Sequence, residues 1–499
     1  MSINILKKSS IVFALIVNAF ALSWVFQYVC LGKPNYLVIN FVFVLAMVFF
    51  SKARLSLNIF GLLLALALPG AKVIGSGIVQ NAVVEVIFGT SVDEIIGFHS
   101  VLPSKLLLTA LAVFCFFLAY VVFNKRLNTD FSKKGRIGVY ALLLISLPFF
   151  TYKSYEIFAP RVNDIIDAYK FITDKSAPKA PEWIIKEQKP SAYDTYVVVI
   201  GESMRSDFLS LYGFKADTTP NLKSIPHKAI DGMISPGPAT AVSVPLLLST
   251  ADGAKPLTHN NAVNLAQMAG FETYWISSQG FTGDNNYPAA IVSRYAQNRY
   301  FNQRMDDFDL LGEIKKAVLK EGKKVIFVHI VGSHENPCSR LFDYKNQYDY
   351  KVGKTLNCYF STLNKTDEFL SKTVEILKNS NKTYSLSYIS DHGVNFVGDD
   401  GDFSVFRDMG KKQQYKVPFY VTSSDMTEHT VIKAQKSGFN FINYFADAIG
   451  VKTNLTIDNY DVFSPADENV FVTLLKGEII PFDSLEDGVN PETLKDYIK

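Results

Sequence analysis

Five apolar runs crowd the first third of this chain, and a bilayer is the environment such a stretch demands. They are Ile11–Leu31, Tyr36–Phe50, Leu55–Ala71, Leu106–Phe123 and Ile137–Thr151. A membrane-crossing helix needs roughly 20 apolar residues. The first and fourth runs reach the spanning range, and the other three lie near its lower limit. A cleaved signal peptide is the alternative for the first run, but four more runs follow it without a break. Over the 499 residues, 48% are hydrophobic and 19% charged, and the apolar excess sits in this region.

Charge sets the expected orientation. With the N-terminus inside, the inner segments hold Lys7, Lys8, Lys52, Arg54, Lys125, Arg126, Lys133, Lys134 and Arg136, against Lys33, Lys72 and Lys105 outside. Five crossings then carry everything after residue 153 to the far side. Between the third and fourth runs, Lys72–Ser104 mixes polar and apolar residues as an amphipathic helix does, with the helix expected over 77–99. Lying on the outer surface, it would bring Asn81 and Glu94 toward a substrate; a plain interfacial connector is the alternative. Residues 154–192, with Pro160, Pro178, Pro181 and Pro190, read as a linker, and 193–499 as a second domain.

In that domain, short apolar runs alternate with helical-looking sequence. Tyr196–Ile200 leads into Gly201-Glu202-Ser203, Thr273–Ile276 into Ser277-Ser278-Gln279-Gly280, Val325–Ile330 into Gly332-Ser333-His334, and Tyr384–Ser390 into Asp391-His392-Gly393. Val417–Val421 reads as the last strand. The alternation predicts a mainly parallel sheet flanked by helices. Ligands of such sheets bind beyond the strands' carboxyl ends, so Glu202, His334, Asp391 and His392 should gather at one edge. A helix is expected from Met204 to Tyr212-Gly213. Pro and Gly precede Thr240 and Pro245 follows it, which places Thr240 at a helix start with its hydroxyl facing the surface. A hydroxyl there can be a nucleophile beside a metal or simply an N-cap. Leu363, Thr366, Leu370, Val374 and Leu377 mark the buried face of a helix, on which Asp367 reads as structural.

The motifs VVVIGES (197–203), TAVSVP (240–245), AGFETYWISSQG (269–280), HIVGSH (329–334) and SDHG (390–393) occur together in this order. With them the chain resembles the membrane-bound phosphoethanolamine transferases of the alkaline phosphatase and sulfatase superfamily. GSHENPCSR (332–340), NCYFSTLNKTDEFL (357–370) and KKQQYKVPFYVTSSD (411–425) look most like the branch that decorates osmoregulated periplasmic glucans.

The resemblance implies a bacterial inner-membrane protein with five transmembrane helices and a periplasmic catalytic domain. Zinc would be held by Glu202, Thr240, Asp391 and His392, and a second ion is left open; nitrogen and oxygen donors fit zinc without excluding Mn or Mg. Thr240 would be the nucleophile, taking phosphoethanolamine from phosphatidylethanolamine and passing it to a glycan or lipopolysaccharide (lipid A) acceptor. His334 would contact the phosphoryl group or a second zinc. One departure stands out. Many relatives carry another substrate-binding His after SDHG, whereas 393–416 holds none and Arg407 falls near its place; Val394 stands where many have Glu. Arg407 would hold the phosphoryl group or acceptor, or be a surface charge.

The remaining His read as bland: His99 near the membrane, His227, His259 and His429 in loop-like sequence, and His329 packed in the core. Cys30 and Cys115 lie in apolar runs and should be free. Cys338 and Cys358 lie on the outer side, where an oxidising compartment permits a disulfide and relatives carry disulfides; two free thiols are the alternative. A net charge of +3 gives no case for nucleic acid. The competing readings are a phosphoglycerol transferase of the same superfamily and an inactive scaffold. Thr at position 240 argues against a sulfatase activity, which needs a Cys or Ser there.

Overall fold

A computed structural model describes residues 2–31, 37–74, 104–127, 132–148, 151–152, 179–279, 288–302, 304–399, 401–405, 409–474 and 477–498. The connector 77–99 with Asn81 and Glu94, His99, Arg407 and most of the linker lie outside them. The described chain forms two compact units, one before residue 153 and one from residue 179 onward.

The first unit is helical: α1 (Ser2–Leu31), α2 (Leu37–Val48), α3 (Ser51–Ile74) and α4 (Ser104–Val122), with further helical backbone over 133–148. Two stretches among the described residues are long and apolar enough to cross a membrane, Lys8–Val29 and Ser51–Leu68; Leu106–Val122 is apolar but shorter. Leu15, Leu22, Leu64, Leu68 and Phe117 pack a small core between α1, α3 and α4. Polar side chains inside it satisfy one another, as a low-dielectric interior requires. Asn18 and Asn58 exchange hydrogen bonds, and the buried Arg54 guanidinium donates to Val48 O and to Asn124 Oδ1 and O.

The second unit is built on an eight-stranded sheet. Its strands are β1 (Thr195–Gly201), β2 (His227–Ile234), β3 (Glu272–Ser277), β4 (Asn298–Phe301), β5 (Lys324–His329), β6 (Tyr384–Ser390), β7 (Phe419–Ser423) and β8 (His429–Ser437). The order is β8-β2-β7-β6-β1-β5-β3-β4, with β7 alone antiparallel to its neighbours. β1 sits near the centre and is buried along its length. Its alternate residues feed two cores: Val197 and Val199 one face, Tyr196, Val198 and Ile200 the other.

Helices cover both faces, as a mostly parallel sheet needs. α5 (Thr240–Leu248), α6 (Ala262–Met268) and α9 (Phe441–Ala448) pack on the second core, and α7 (Leu310–Leu319) and α8 (Gly353–Lys378) on the first. Leu363, Thr366, Leu370, Val374 and Leu377 of α8 are all buried. Asp367 accepts from the Asn221 and Leu222 amides and from Asn221 Nδ2, capping the short helix Pro220–Ser224.

Three expectations are corrected. Val417–Val421 is not the last strand region: β8 follows at the sheet edge. The segment after Met204 is not one helix but two 3₁₀ turns, Ser206–Phe208 and Ser210–Tyr212. Side chains of Thr218 and Thr219 accept the Ser210 and Leu211 amides that a continuous helix would use, and Gly213 closes the segment at φ 99°. His227 is not in a loop; it begins β2, buried, with its ring against Tyr420 and His429.

Candidate metal centre

The site forms because β1 and β6 are parallel neighbours in register. Gly201 pairs with Ser390, so the residues that follow, Glu202 and Asp391, leave the sheet side by side. The Asp391 amide donates to Gly201 O, and the Ser333 amide to Glu202 O, which draws in the loop after β5. Gly201 has to be glycine: a Cβ there would lie 2.1 Å from Tyr388 Oη.

Glu202, Asp391 and His392 are all buried, and their ligand atoms lie within 4.8 Å of one another. His392 Nε2 is 3.3 Å from Glu202 Oε1 and 3.5 Å from Asp391 Oδ2. Thr240 is the first residue of α5. Its hydroxyl donates to Glu202 Oε2 at 2.8 Å and lies 3.4 Å from His392 Nε2. At 8% exposure that hydroxyl is inside the cluster rather than facing the surface as expected. The N-cap residue, Ala239, has no side-chain acceptor, and its carbonyl takes the Val242 and Ser243 amides, so the Thr240 and Ala241 amides are the ones that can face an anion.

The cluster carries an electrostatic conflict. Burial and then the Glu202 charge push the Asp391 carboxyl well above the usual range. Burial also opposes ionisation of Glu202, but His392, His334 and hydrogen bonds from Ser203 and Thr240 hold it below the ordinary carboxylate range. Two buried acids competing for one His favour a cation. The donors fit one: Asp391 Oδ2 accepts no hydrogen bond among the described residues although fully buried. His392 Nδ1 lies 2.6 Å from Gly393 O; a carbonyl can only accept, so Nδ1 carries the proton and Nε2 keeps its lone pair. One nitrogen and carboxylate oxygens form a set that zinc takes.

His334 lies in the loop after β5, half-buried, and its Nδ1 accepts from Arg340 Nη2 at 3.2 Å. The Arg340 turn is pinned to α8 by a Cys338–Cys358 disulfide. Two residues that lie inside the motifs, with no role assigned to them from sequence, also belong to the site. Gln279 Nε2 donates to Glu202 Oε2 at 2.8 Å and to Ile330 O. Ser203, at φ 56°, donates through Oγ to Glu202 Oε1 and through its amide to Asp391 Oδ1. Each lies two residues beyond a strand end, Ser203 after β1 and Gln279 after β3.

Residues 194–451 match the sulfatase family. The chain belongs to that family. Among characterised relatives it is 34% identical over 302 residues to the phosphoethanolamine transferase OpgE of Escherichia coli K12, covering 58% of this chain and 56% of that one. It is 22% identical over 391 residues to phosphoethanolamine transferase EptA of Helicobacter pylori, covering 70% and 72%. The chain spans about half the length of the curated relatives it matches first. Two solved structures share the fold. The zinc complex of the periplasmic domain of Escherichia coli EptC has a TM-score of 0.52 at 21% identity, covering 62% of this chain and 98% of that one. The integral membrane lipooligosaccharide phosphoethanolamine transferase A of Neisseria meningitidis has 0.57 at 17% identity, covering 90% and 96%. The α/β domain is therefore sulfatase-like, as the motifs implied.

Proposed function

We propose that this protein is a zinc-dependent phosphoethanolamine transferase of the bacterial inner membrane. Its N-terminal unit would cross five times and leave the catalytic domain in the periplasm. The donor is phosphatidylethanolamine and the acceptor a hydroxyl of a periplasmic glucan or of lipopolysaccharide. The observation that carries this reading is the Thr240 hydroxyl at a helix start, hydrogen-bonded into the buried Glu202–Asp391–His392 cluster.

The chemistry follows from these positions. A zinc ion held by Glu202, Asp391, His392 and Thr240 would supply a Lewis acid that eases ionisation of the hydroxyl and offsets phosphoryl charge. Thr240 Oγ1 attacks the donor phosphorus, the bond to the glycerol oxygen breaks, and diacylglycerol leaves with a proton. The Thr240 hydrogen rests on Glu202 Oε2, and its loss is balanced by the proton that diacylglycerol takes on leaving. The uncapped start of α5 offers amides to the phosphoryl oxygens, and His334 with Arg340 flanks them. An acceptor hydroxyl then attacks phospho-Thr240, and the P–Oγ1 bond breaks. Arg407, Asn81 and Glu94 are retained as proposed contacts for donor and acceptor.

The test is intact mass of the purified protein with zinc and phosphatidylethanolamine. A phosphoethanolamine adduct is expected on the wild type and absent from Thr240→Ala, which should keep the circular dichroism of the α/β domain. An undiminished adduct on Thr240→Ala would remove the covalent route. An adduct from phosphatidylglycerol instead would shift the reading to phosphoglycerol transfer.

A further inference from the structure

The proposed reaction needs the nucleophile and the metal-binding imidazole to keep one geometry, yet they come from separate segments, 235–240 and 390–393. We propose that Gln414 is the positioning residue that holds them together. Gln414 ends the 3₁₀ turn Lys412–Gln414 and is 1% exposed. Its Nε2 donates to Pro238 O at 2.8 Å, two residues before Thr240, and to Gly393 O at 3.1 Å. That second carbonyl is the one that faces His392 Nδ1. One amide group therefore spans from the nucleophile's segment to the acceptor that orients the ring. The assignment of its oxygen and nitrogen is fixed by chemistry, since two carbonyls can be met only by a donor.

The Gln414 main chain adds a second hold. The Gly393 amide donates to Gln414 O at 2.8 Å, so the residue grips Gly393 through both its peptide groups. Gly393 can accept this only as glycine, because a Cβ would lie 2.1 Å from Gln413 O. Gln414 Oε1 accepts no hydrogen bond among the described residues although buried. A buried amide that leaves its own acceptor unmet to present both hydrogens to these carbonyls is expensive as mere packing. Outer partners of a ligating His commonly govern metal affinity through ring orientation. Gln413, next in sequence, bonds elsewhere, to Asp487 Oδ1 and the Gly488 amide.

This inference rests on the metal-dependent transferase reading, and its test separates the two. Zinc affinity of the full-length protein in detergent would be measured by competition with a chromophoric chelator, alongside adduct formation from phosphatidylethanolamine. Gln414→Met keeps the volume and removes the donor. It should weaken zinc binding about 10- to 100-fold and slow adduct formation. Gln413→Met loosens the neighbouring loop and should leave zinc affinity unchanged, while the two variants melt alike without zinc. Gln414→Glu, isosteric and without hydrogens to donate at neutral pH, should repeat the loss and decides the matter if Gln414→Met does not fold. Unchanged zinc affinity in a Gln414 variant would overturn the positioning role, even if the wild type turned over lipid. Zinc affinity that depends on Gln414 in a wild type forming no adduct would support the positioning role and sink the transferase reading.

Discussion

His329 ends β5 paired with Ile200 of β1 and is 3% exposed, with its ring edge-on to Trp275. Its Nε2 has no hydrogen-bond partner among the described residues, and burial pushes the imidazole down to about 4 despite the pull of Glu202. The sequence placed it in the core, where apolar neighbours surround it on a strand. The sign of its effect on stability follows from linkage. The unfolded chain binds a proton near pH 6.5 and the folded chain near 4, so the contribution is full above 6.5 and is lost as pH falls toward 4. By pH 4.5 the loss amounts to about 2 to 3 kcal/mol. His329→Met should remove most of that term. Denaturant unfolding at pH 7 and 4.5, with chelator present to keep metal out, should show a smaller pH difference for the variant. An equal difference in both proteins would mean that His329 is not the group titrating.

Helix α8 acts as a clasp between the sheet and the loop that carries His334. Cys358 in its second turn is bonded to Cys338, and Lys365 Nζ donates to Arg340 O and Leu341 O while pairing with Asp306 Oδ1 at 2.9 Å. Closing a loop of 20 residues removes unfolded-state entropy equivalent to about 3 kcal/mol. Cys338→Ser with Cys358→Ser should lower the thermal midpoint accordingly, and an unchanged midpoint would show that Lys365 alone holds the turn. The strands that carry chemistry were legible because β1 and β5 read as apolar runs and β6 as an alternation of Ser with Tyr, Leu and Ile, each ending abruptly in polar residues. The outer members were not. β2 and β8 interleave His, Lys and Asp with apolar residues, and β4 is four residues long, so neither gives an apolar run. Glu202, Thr240, Asp391 and His392 were found from strand ends, a helix start and a resemblance. Gln279, Ser203 and Gln414 were not, because their partners come from tertiary approach and an amide or hydroxyl after a strand has many ordinary uses.

Across the whole molecule the question is how often the N-terminal unit crosses the membrane. The described residues contain two helices of spanning length, whereas charge and hydropathy propose five crossings. Arg54 bears on this. It lies in the first turn of α3 and bonds to Asn124 just past the end of α4, so α3 and α4 run antiparallel, as successive crossings with a return must. Both ends then share a side with Lys52, Lys125 and Arg126, a basic set that belongs inside. Exposed Leu63, Leu66, Leu108 and Leu111 on these helices suit lipid contact. The expected outcome is specific. In intact cells whose outer membrane has been permeabilised, a membrane-impermeant maleimide should label Lys433→Cys and leave Lys52→Cys and Lys125→Cys unlabelled until the inner membrane is opened. Labelling at Lys125→Cys together with Lys433→Cys would mean that no crossing separates them or that two do, and the five-span anchor would fail. Labelling at Lys433→Cys alone would leave an even number of crossings between the inner positions and an odd number beyond them. That outcome would put the Thr240 cluster on the periplasmic side, as the proposed function requires.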